Sequence, residues 1–366
     1  MPIEFIGFIT NNNSSETIVR SGPVLNRDHI ETVAKAHESA GFDRALLAFS
    51  ATSPDGLQVG QHVLSVTERL HVMIAQRPGF TAPTLLARQL ATIDQLWRGR
   101  VSLHVITGGN ANELRQDGNL LEDKDDRYAR TIEFLDIVKL EWSSEQPFDY
   151  RGKFYQIEKG FSQVKPYRKS GIPIFVGGAS DGAIEAAGKH ADTFALWGES
   201  YDQVREVTAT VRAAAAKYGR PAPRFSLSVR PIVADTEEKA WAKAEAILER
   251  ATALQDKTGY RKPADGHATS GANRLLSLAE KGTRVDKRLW TEIAKLTGAN
   301  SNTTALVGTP EQVAEVFRDY YQLGVSHFLI RGFDPLIDTI EYGRELIPAT
   351  RRLIAEHDAQ VGQAAE

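Results

Sequence analysis

Short apolar runs alternate with longer amphipathic stretches along most of the chain. The runs at residues 3–9, 45–49, 70–75, 101–106, 174–176, 193–197, 225–233 and 327–330 are strand candidates. Between them the apolar spacing is helical. A helix capped by Asn26 or Asp28 runs to Ala40 and is closed by Gly41. Others cover the stretch after SATSPDG to about Arg69, then 83–96, 125–142, the run opening at Asp181, 203–218 and 236–254. Helix 309–323 has Thr309 as cap and Pro310 in its first turn, and a last helix spans 334–354, after which the tail is expected to fray. The alternation pauses at 143–171, where 148–157 reads as a hairpin insertion, and again in the polar segment 255–304, which local pattern leaves open. Eight strands alternating with helices predict an α/β fold with a parallel sheet, a (β/α)8 TIM barrel in one domain over 1–366. A doubly wound open sheet is the alternative, but no G-x-G-x-x-G follows the first strand.

In such a barrel, chemistry collects where the strands end. Those ends carry Asn11, Ser53 and Asp55, Gln76 and Arg77, His104 and Thr107, the turn from Gly177 to Ser180, Trp197, Ser228 and Arg230, and Arg331 with Phe333. The set is polar, cationic and aromatic, and suits an anionic, partly aromatic ligand, although strand ends are polar in any barrel. The stretch PIFVGGASD (173–181) joins a buried strand, two glycines and a helix start. Free N–H groups, the positive end of the helix dipole and the Ser180 hydroxyl make it a candidate phosphate cradle; a plain turn is the other reading. Tyr128 is either core or a hydroxyl donor to that phosphate. His104 is a core histidine or a cofactor contact, and Trp197 fills space or faces a flat ligand. Arg230 stands in an apolar strand, so it has either a carboxylate partner or an anionic substrate, and the same choice applies to Arg77 and Arg331. His37, His62, His71 and His190 read as structural or surface residues.

Composition narrows the chemistry further. The chain has 366 residues, 42% of them hydrophobic, a net charge of −3 and no cysteine. Nothing in that balance calls for nucleic acid or an anionic membrane. Without cysteine there are no disulfides, thiolate ligands or cysteine nucleophile. No H-E-x-x-H, other metal-ligand spacing or G-x-S-x-G elbow occurs, so no metal site is expected. The N-terminus lacks signal-peptide character and no apolar run approaches 18 residues, so a cytoplasmic protein is expected. Polar anchors without a catalytic apparatus of their own suggest that a cofactor performs the chemistry.

The motifs SPDG (53–56), ERLHVMIAQRPG (68–79), PTLLARQLATIDQLWRGRVSLHVITGG (83–109), DG (117–118), DDRYARTIEFLDIV (125–138), PIFVGGASD (173–181), DTFALWGE (192–199), TALVGTPEQVAE (304–315) and GVSHFLIRGFDP (324–335) occur in that order. Together they resemble the bacterial-luciferase-like flavin monooxygenases, alkanesulfonate monooxygenase branch, over residues 1 to about 350. The resemblance implies a barrel that borrows reduced FMN from an NAD(P)H-dependent flavin reductase. It also implies O2 as co-substrate, a C4a-(hydro)peroxyflavin, and oxidation of a small organosulfur anion, with carbon–sulfur cleavage and sulfite release for a sulfonate. By motif, Ser180 with the backbone of Gly178 and Ala179 holds the FMN phosphate, with Tyr128 contributing its hydroxyl. Ala75, Gln76, His104 and Thr107 lie along the flavin, and Trp197 lines the pocket. The segment 255–304 is the lid, and homodimers or homotetramers are expected.

Several positions depart from the branch. Ser53 replaces a cysteine, His104 an asparagine, and Phe333 a tyrosine; Ser228-Val229-Arg230 replaces an R-x-H pair, and the arginine expected before TALVG is missing from ANSNT (299–303). Ser53, Arg230 and Trp197 are therefore the catalytic candidates, and Asn11, Arg77, Ser228, Arg331 and Phe333 the substrate-binding ones. A coenzyme F420-dependent oxidoreductase of the same barrel family and a flavin-binding protein without turnover are the alternatives.

Overall fold

The computed structural model describes residues 2–107, 111–121, 123–259, 269–299 and 303–365. Its parallel strands are β1 (Glu4–Phe8), β2 (Arg44–Leu47), β3 (His71–Gln76), β4 (Val101–Val105), β5 (Ile174–Gly177), β6 (Thr193–Trp197), β7 (Arg224–Val233) and β8 (Val325–Ile330). Each is followed by at least one helix, so the fold is the luciferase-like (β/α)8 TIM barrel that the alternation predicts. The strands are buried almost throughout, which is why they read as continuous apolar runs. The chain divides into two compact units, 1–45 with 196–208 and 224–366, and 46–195 with 209–223.

In the first unit β8 lies between β1 and β7, with Phe5 opposite Phe328 and Leu329 opposite Ser228. The rings of Phe5, Phe317 and Phe328 pack at centroid distances of 4.6 to 6.1 Å. Helix Pro310–Gln322 opens with a complete capping box between Thr309 and Gln312. A second cluster joins Ile232, Ala244, Ile247, Trp290, Ile293 and Val307. Segment 255–304 contributes to it through the pair Arg284–Val285 and Leu289–Trp290 and the helix Glu292–Leu296. A further strand, Ala305–Gly308, runs parallel to β7. The tail does not fray after 354: helix Ile347–Ala365 continues it, preceded by a wide π turn at Tyr342–Leu346. Pro348 has no N–H to donate within that last helix, and a neighbouring widened turn is how a helix accommodates such a loss.

In the second unit β4 lies between β3 and β5, and β5 pairs with β6. Helix Gly56–Ser65 sits so close that a Cβ on Gly60 would be 2.9 Å from Ile74. Helix Lys124–Ser143 is fastened to Pro83–Leu96 by Trp142 Nε1 donating to the Ala87 carbonyl at 3.0 Å. The insertion is the expected hairpin, Phe148–Arg151 with Gln156–Gly160, and the Glu133 carboxylate accepts the N–H groups of Lys153, Phe154 and Tyr155 to hold it on that helix.

Candidate functional site

The end of β5 is built around Tyr128. Gly178 has φ +132°, and a Cβ there would come 2.7 Å from Ala183 Cβ and 2.9 Å from Tyr128 Oη. A Cβ on Gly182 would lie 2.8 Å from Tyr128 Cβ and Cγ. Two glycines four residues apart therefore form the slot in which the Tyr128 side chain lies. Ser180 caps helix Asp181–His190, its Oγ accepting from Ala183 N at 3.4 Å. Burial pushes the Tyr128 phenol up, with hydrogen bonds to Ser180 and Thr107 pulling the other way. The phenol is thus a neutral donor at pH 7. Thr107 Oγ1 lies 3.1 Å from Thr131 Oγ1, which donates to the Arg127 carbonyl at 2.9 Å. Glycine backbone, a helix N-terminus and two hydroxyls converge at one strand end, which is what a phosphate monoester requires.

Beside this cradle the neighbouring strands end in buried polar atoms that have no hydrogen-bond partner among the described residues. Ala75 and His104 are register partners on β3 and β4 and share a face. His104 Nδ1 is shielded from solvent and has no hydrogen-bond partner among the described residues, and burial pushes the imidazole down to about 4, so the ring is neutral. Gln76 is 5% exposed, and its Nε2 likewise has no partner. Arg77 is 7% exposed; Nη2 meets Glu113 Oε2 at 2.6 Å while Nε and Nη1 have no hydrogen-bond partner among the described residues. Its guanidinium stands 5.0 Å from the Phe49 ring centroid. A buried polar atom left without a partner is costly, and two neighbouring strand ends with several such atoms suit a polar ligand that completes them. The residues present therefore fit a flavin mononucleotide. Its phosphate would rest on Gly178, Ala179, Ser180 and Tyr128, and its ring along Ala75, Gln76 and His104. Ser53 is engaged elsewhere, its Oγ donating to the Ser50 carbonyl at 2.9 Å and accepting from Ser50 N at 3.0 Å.

The ends of β7 and β8 are built differently. Arg230 is fully buried; Nη1 lies 2.9 Å from Glu16 Oε2, Nη2 donates to the Gly332 carbonyl at 2.6 Å, and its Cζ stacks 3.6 Å from the Phe333 ring centroid. Arg331 Nη2 lies 3.5 Å from Glu16 Oε1 and stacks over Phe8. The turn that presents Arg331 and Phe333 is set by Asp338, whose Oδ2 accepts from Phe333 N at 2.7 Å and Asp334 N at 3.0 Å. Gly332 is required there, since a Cβ would fall 2.1 Å from Asp338 Cβ. The Ser228 carbonyl accepts from Thr303 Oγ1 at 2.9 Å, and the Asn11 carbonyl accepts from Asn26 N. The Trp197 ring faces Gly271, where a Cβ would be 2.7 Å from its Nε1. Helix Ser270–Lys281, which starts at that contact, is held by Arg274 on Glu199 at 2.9 Å.

A model of the luciferase-like monooxygenase family matches residues 3–327. This chain belongs to that family. Solved structures of the same fold include an EDTA monooxygenase from Chelativorans sp. BNC1, at 18% identity and TM-score 0.78, covering 96% of this chain and 94% of that one. A riboflavin lyase determined with modified FMN and riboflavin superposes at 19% identity and TM-score 0.77, covering 96% and 92%. An F420-dependent secondary alcohol dehydrogenase follows at 17% and 0.69, covering 96% and 99%.

Within the second unit the structure gathers Tyr128, Thr107, Gly178 and Ser180 at the cradle, and sets His104 beside Ala75. Within the first it gathers Arg230, Arg331 and Phe333. Three residues escaped the sequence reading: Glu16, Glu113 and Gly182. Glu16 sits in a loop of mixed polar residues where no spacing marks it. Gly182 was legible in principle, four residues after Gly178. Residues 108–110 at the end of the β4 motif, and 260–268 and 300–302 of the expected lid, lie outside the described residues.

Proposed function

We propose that this protein is a two-component monooxygenase that takes reduced FMN from a separate NAD(P)H-dependent flavin reductase and uses O2 to oxidise a small organosulfur compound. The observation that supports it best is the cradle at Gly178, Ser180 and Tyr128 beside the buried polar atoms of Gln76 and His104 that have no partner among the described residues. When bound, reduced FMN supplies the electrons that activate dioxygen. This chain's part is to bind and to orient. Ser180 and Tyr128 donate hydroxyls to the phosphate, and the N-terminus of helix Asp181–His190 favours its negative charge. Gln76 and the neutral His104 offer uncharged polar contacts to the ring, so they fix its position without adding a positive charge. Arg77, held by Glu113, offers two N–H groups to an acceptor oxygen.

Anaerobic titration with reduced FMN, oxidised FMN and coenzyme F420, followed by tryptophan fluorescence, tests this. Tighter binding of reduced than of oxidised FMN is expected, followed by oxygen uptake when a reductase and substrate are added. The similarity in fold to the F420-dependent alcohol dehydrogenase keeps hydride transfer as the second reading. Preferential binding of F420 would establish that reading instead.

A further inference from the structure

In the second unit, Arg130 is a half-buried cation that no carboxylate among the described residues pairs with. It leaves helix Lys124–Ser143 two residues after Tyr128, and therefore on another side of that helix. Its guanidinium lies across the bare backbone of Gly79, which has φ +99°; a Cβ there would stand 2.5 and 2.6 Å from Nη1 and Nη2. Nη1 donates to Asn119 Oδ1 at 3.2 Å, and the same oxygen accepts from Leu121 N at 3.1 Å. These two bonds fix the amide and leave Asn119 Nδ2 as a donor. Asn119 is 7% exposed. Its Nδ2, Arg130 Nε and the Tyr155 hydroxyl are shielded from solvent and have no hydrogen-bond partner among the described residues. The carboxylates of the same helix are engaged elsewhere: Glu133 accepts from the N–H groups of Lys153, Phe154 and Tyr155, and Asp126 holds Lys153 at 2.6 Å.

We propose that Arg130, Asn119 and Tyr155 form an oxyanion site that takes a phosphate group, separate from the cradle at Ser180. Burial pushes the Arg130 guanidinium below its ordinary value; Tyr155 opposes that shift, and the like charge of Arg127 adds to it. Burial also pushes the Tyr155 phenol up to about 12, with Arg130 pulling it back and Glu133 raising it further, so at pH 7 it is a neutral donor. A bound anion relieves three costs together: the unpaired charge, its repulsion by Arg127, and the three donors without acceptors. Phosphate suits the set better than a carboxylate, because its additional acceptor oxygen lets a guanidinium, an amide and a phenol bind at once. Arg130 and Tyr155 are half-buried rather than enclosed, so an ion reaches them from solvent. Inorganic phosphate and the phosphate of a nucleotide share this chemistry.

Inorganic phosphate is titrated by calorimetry into the full-length protein saturated with reduced FMN under anaerobic conditions, with chloride at equal ionic strength as the control. Saturable phosphate binding is expected although FMN fills the cradle. Arg130→Met is expected to weaken it about tenfold or more. Tyr155→Phe is expected to weaken it about threefold or more without lowering the melting temperature, since the hydroxyl it removes has no partner among the described residues. Asn119→Asp keeps the acceptor for Leu121 N but sets a carboxylate on Arg130, and should abolish phosphate binding while raising the melting temperature. Absence of phosphate binding to the FMN-loaded protein overturns the site, as does binding that Arg130→Met and Tyr155→Phe leave unchanged. Where Arg130→Met fails to fold, Tyr155→Phe decides. ADP is the second probe: tighter binding than phosphate, lost in Arg130→Met, assigns the site to a nucleotide, and weaker binding assigns it to free phosphate. Failure of reduced FMN to bind counts against the monooxygenase reading alone, and phosphate is then titrated into Ser180→Ala, whose cradle has lost its hydroxyl.

Discussion

The strand ends of β3 to β5 and those of β7 and β8 solve opposite problems. Around Tyr128 and His104 the chain buries polar groups, some of which have no partner among the described residues: His104 Nδ1, Gln76 Nε2, and Arg77 Nε and Nη1. Around Arg230 it buries full charges and pairs them, with Glu16, the Gly332 carbonyl and the Phe333 ring taking up the guanidinium. Two histidines show the same contrast. His37 is buried and neutral, and both ring nitrogens are engaged, Nδ1 with the Val33 carbonyl at 2.7 Å and Nε2 with Phe8 N at 3.3 Å. His104 is just as neutral but has one nitrogen idle. Desolvation without a partner costs stability, so a fold keeps such atoms where a ligand completes them. Charge at a strand end is the poorer guide to a binding site. Polarity without a partner is the better one.

The comparison breaks most visibly at Arg230. Arg230→Ala takes the nearer cation from the buried Glu16 and leaves it Arg331 at 3.5 Å, and about 3 kcal/mol of stability should be lost, read by denaturant unfolding; Glu16→Gln with Arg230→Met should recover most of it. Gly178→Ala places a Cβ at φ +132° against Ala183 and Tyr128. Backbone strain of about 1–3 kcal/mol is expected, together with loss of measurable FMN binding in the fluorescence titration. Ser180→Ala removes a hydroxyl from the phosphate and a cap from its helix, and should weaken reduced FMN about tenfold or more with about 1 kcal/mol less stability. Unchanged affinity would remove the cradle assignment.

The smallest effect concerns pH. Burial holds His37 and His104 at about 4, below the ordinary value of 6.5, so between those values the unfolded chain binds more protons than the folded one. Their contribution to stability is complete above about pH 6.5 and is lost as pH falls towards 4. Denaturation midpoints at pH 7 and pH 5 should show that loss, and His104→Asn should flatten the slope. Below pH 5 flavin affinity should also change as the His104 ring charges, whereas between pH 6.5 and 8 it should not respond to this residue.

Much of the fold was legible because parallel strands buried on both faces leave uninterrupted apolar runs. The runs at 193–197 and 83–96 coincide with the observed strand and helix, and Asn26, Thr309 and Ser180 cap helices as their residue types predict. In segment 255–304 the two-residue strands and five-residue helix fall below the length at which periodicity speaks, whereas helix Ser270–Lys281, with Ala272, Leu275 and Leu278 on its buried face, was long enough to read and was missed.

At the candidate site the sequence by itself offered the backbone of the proposed cradle, with a plain turn as the other reading. The run from Ile174 to Asp181 contains its strand, Gly177, Gly178 and its cap in eight consecutive residues, and such local features need no distant partner to be read. It also narrowed Arg230 to two fates, a carboxylate or an anionic substrate. Only the tertiary structure decided between them, because Glu16 and Arg230 are separated by more than half the chain and meet through the folding of β1 and β7 beside β8. Burial and pairing are properties of neighbours in space. A side chain's type says what it needs, and only the fold says whether the need is already met.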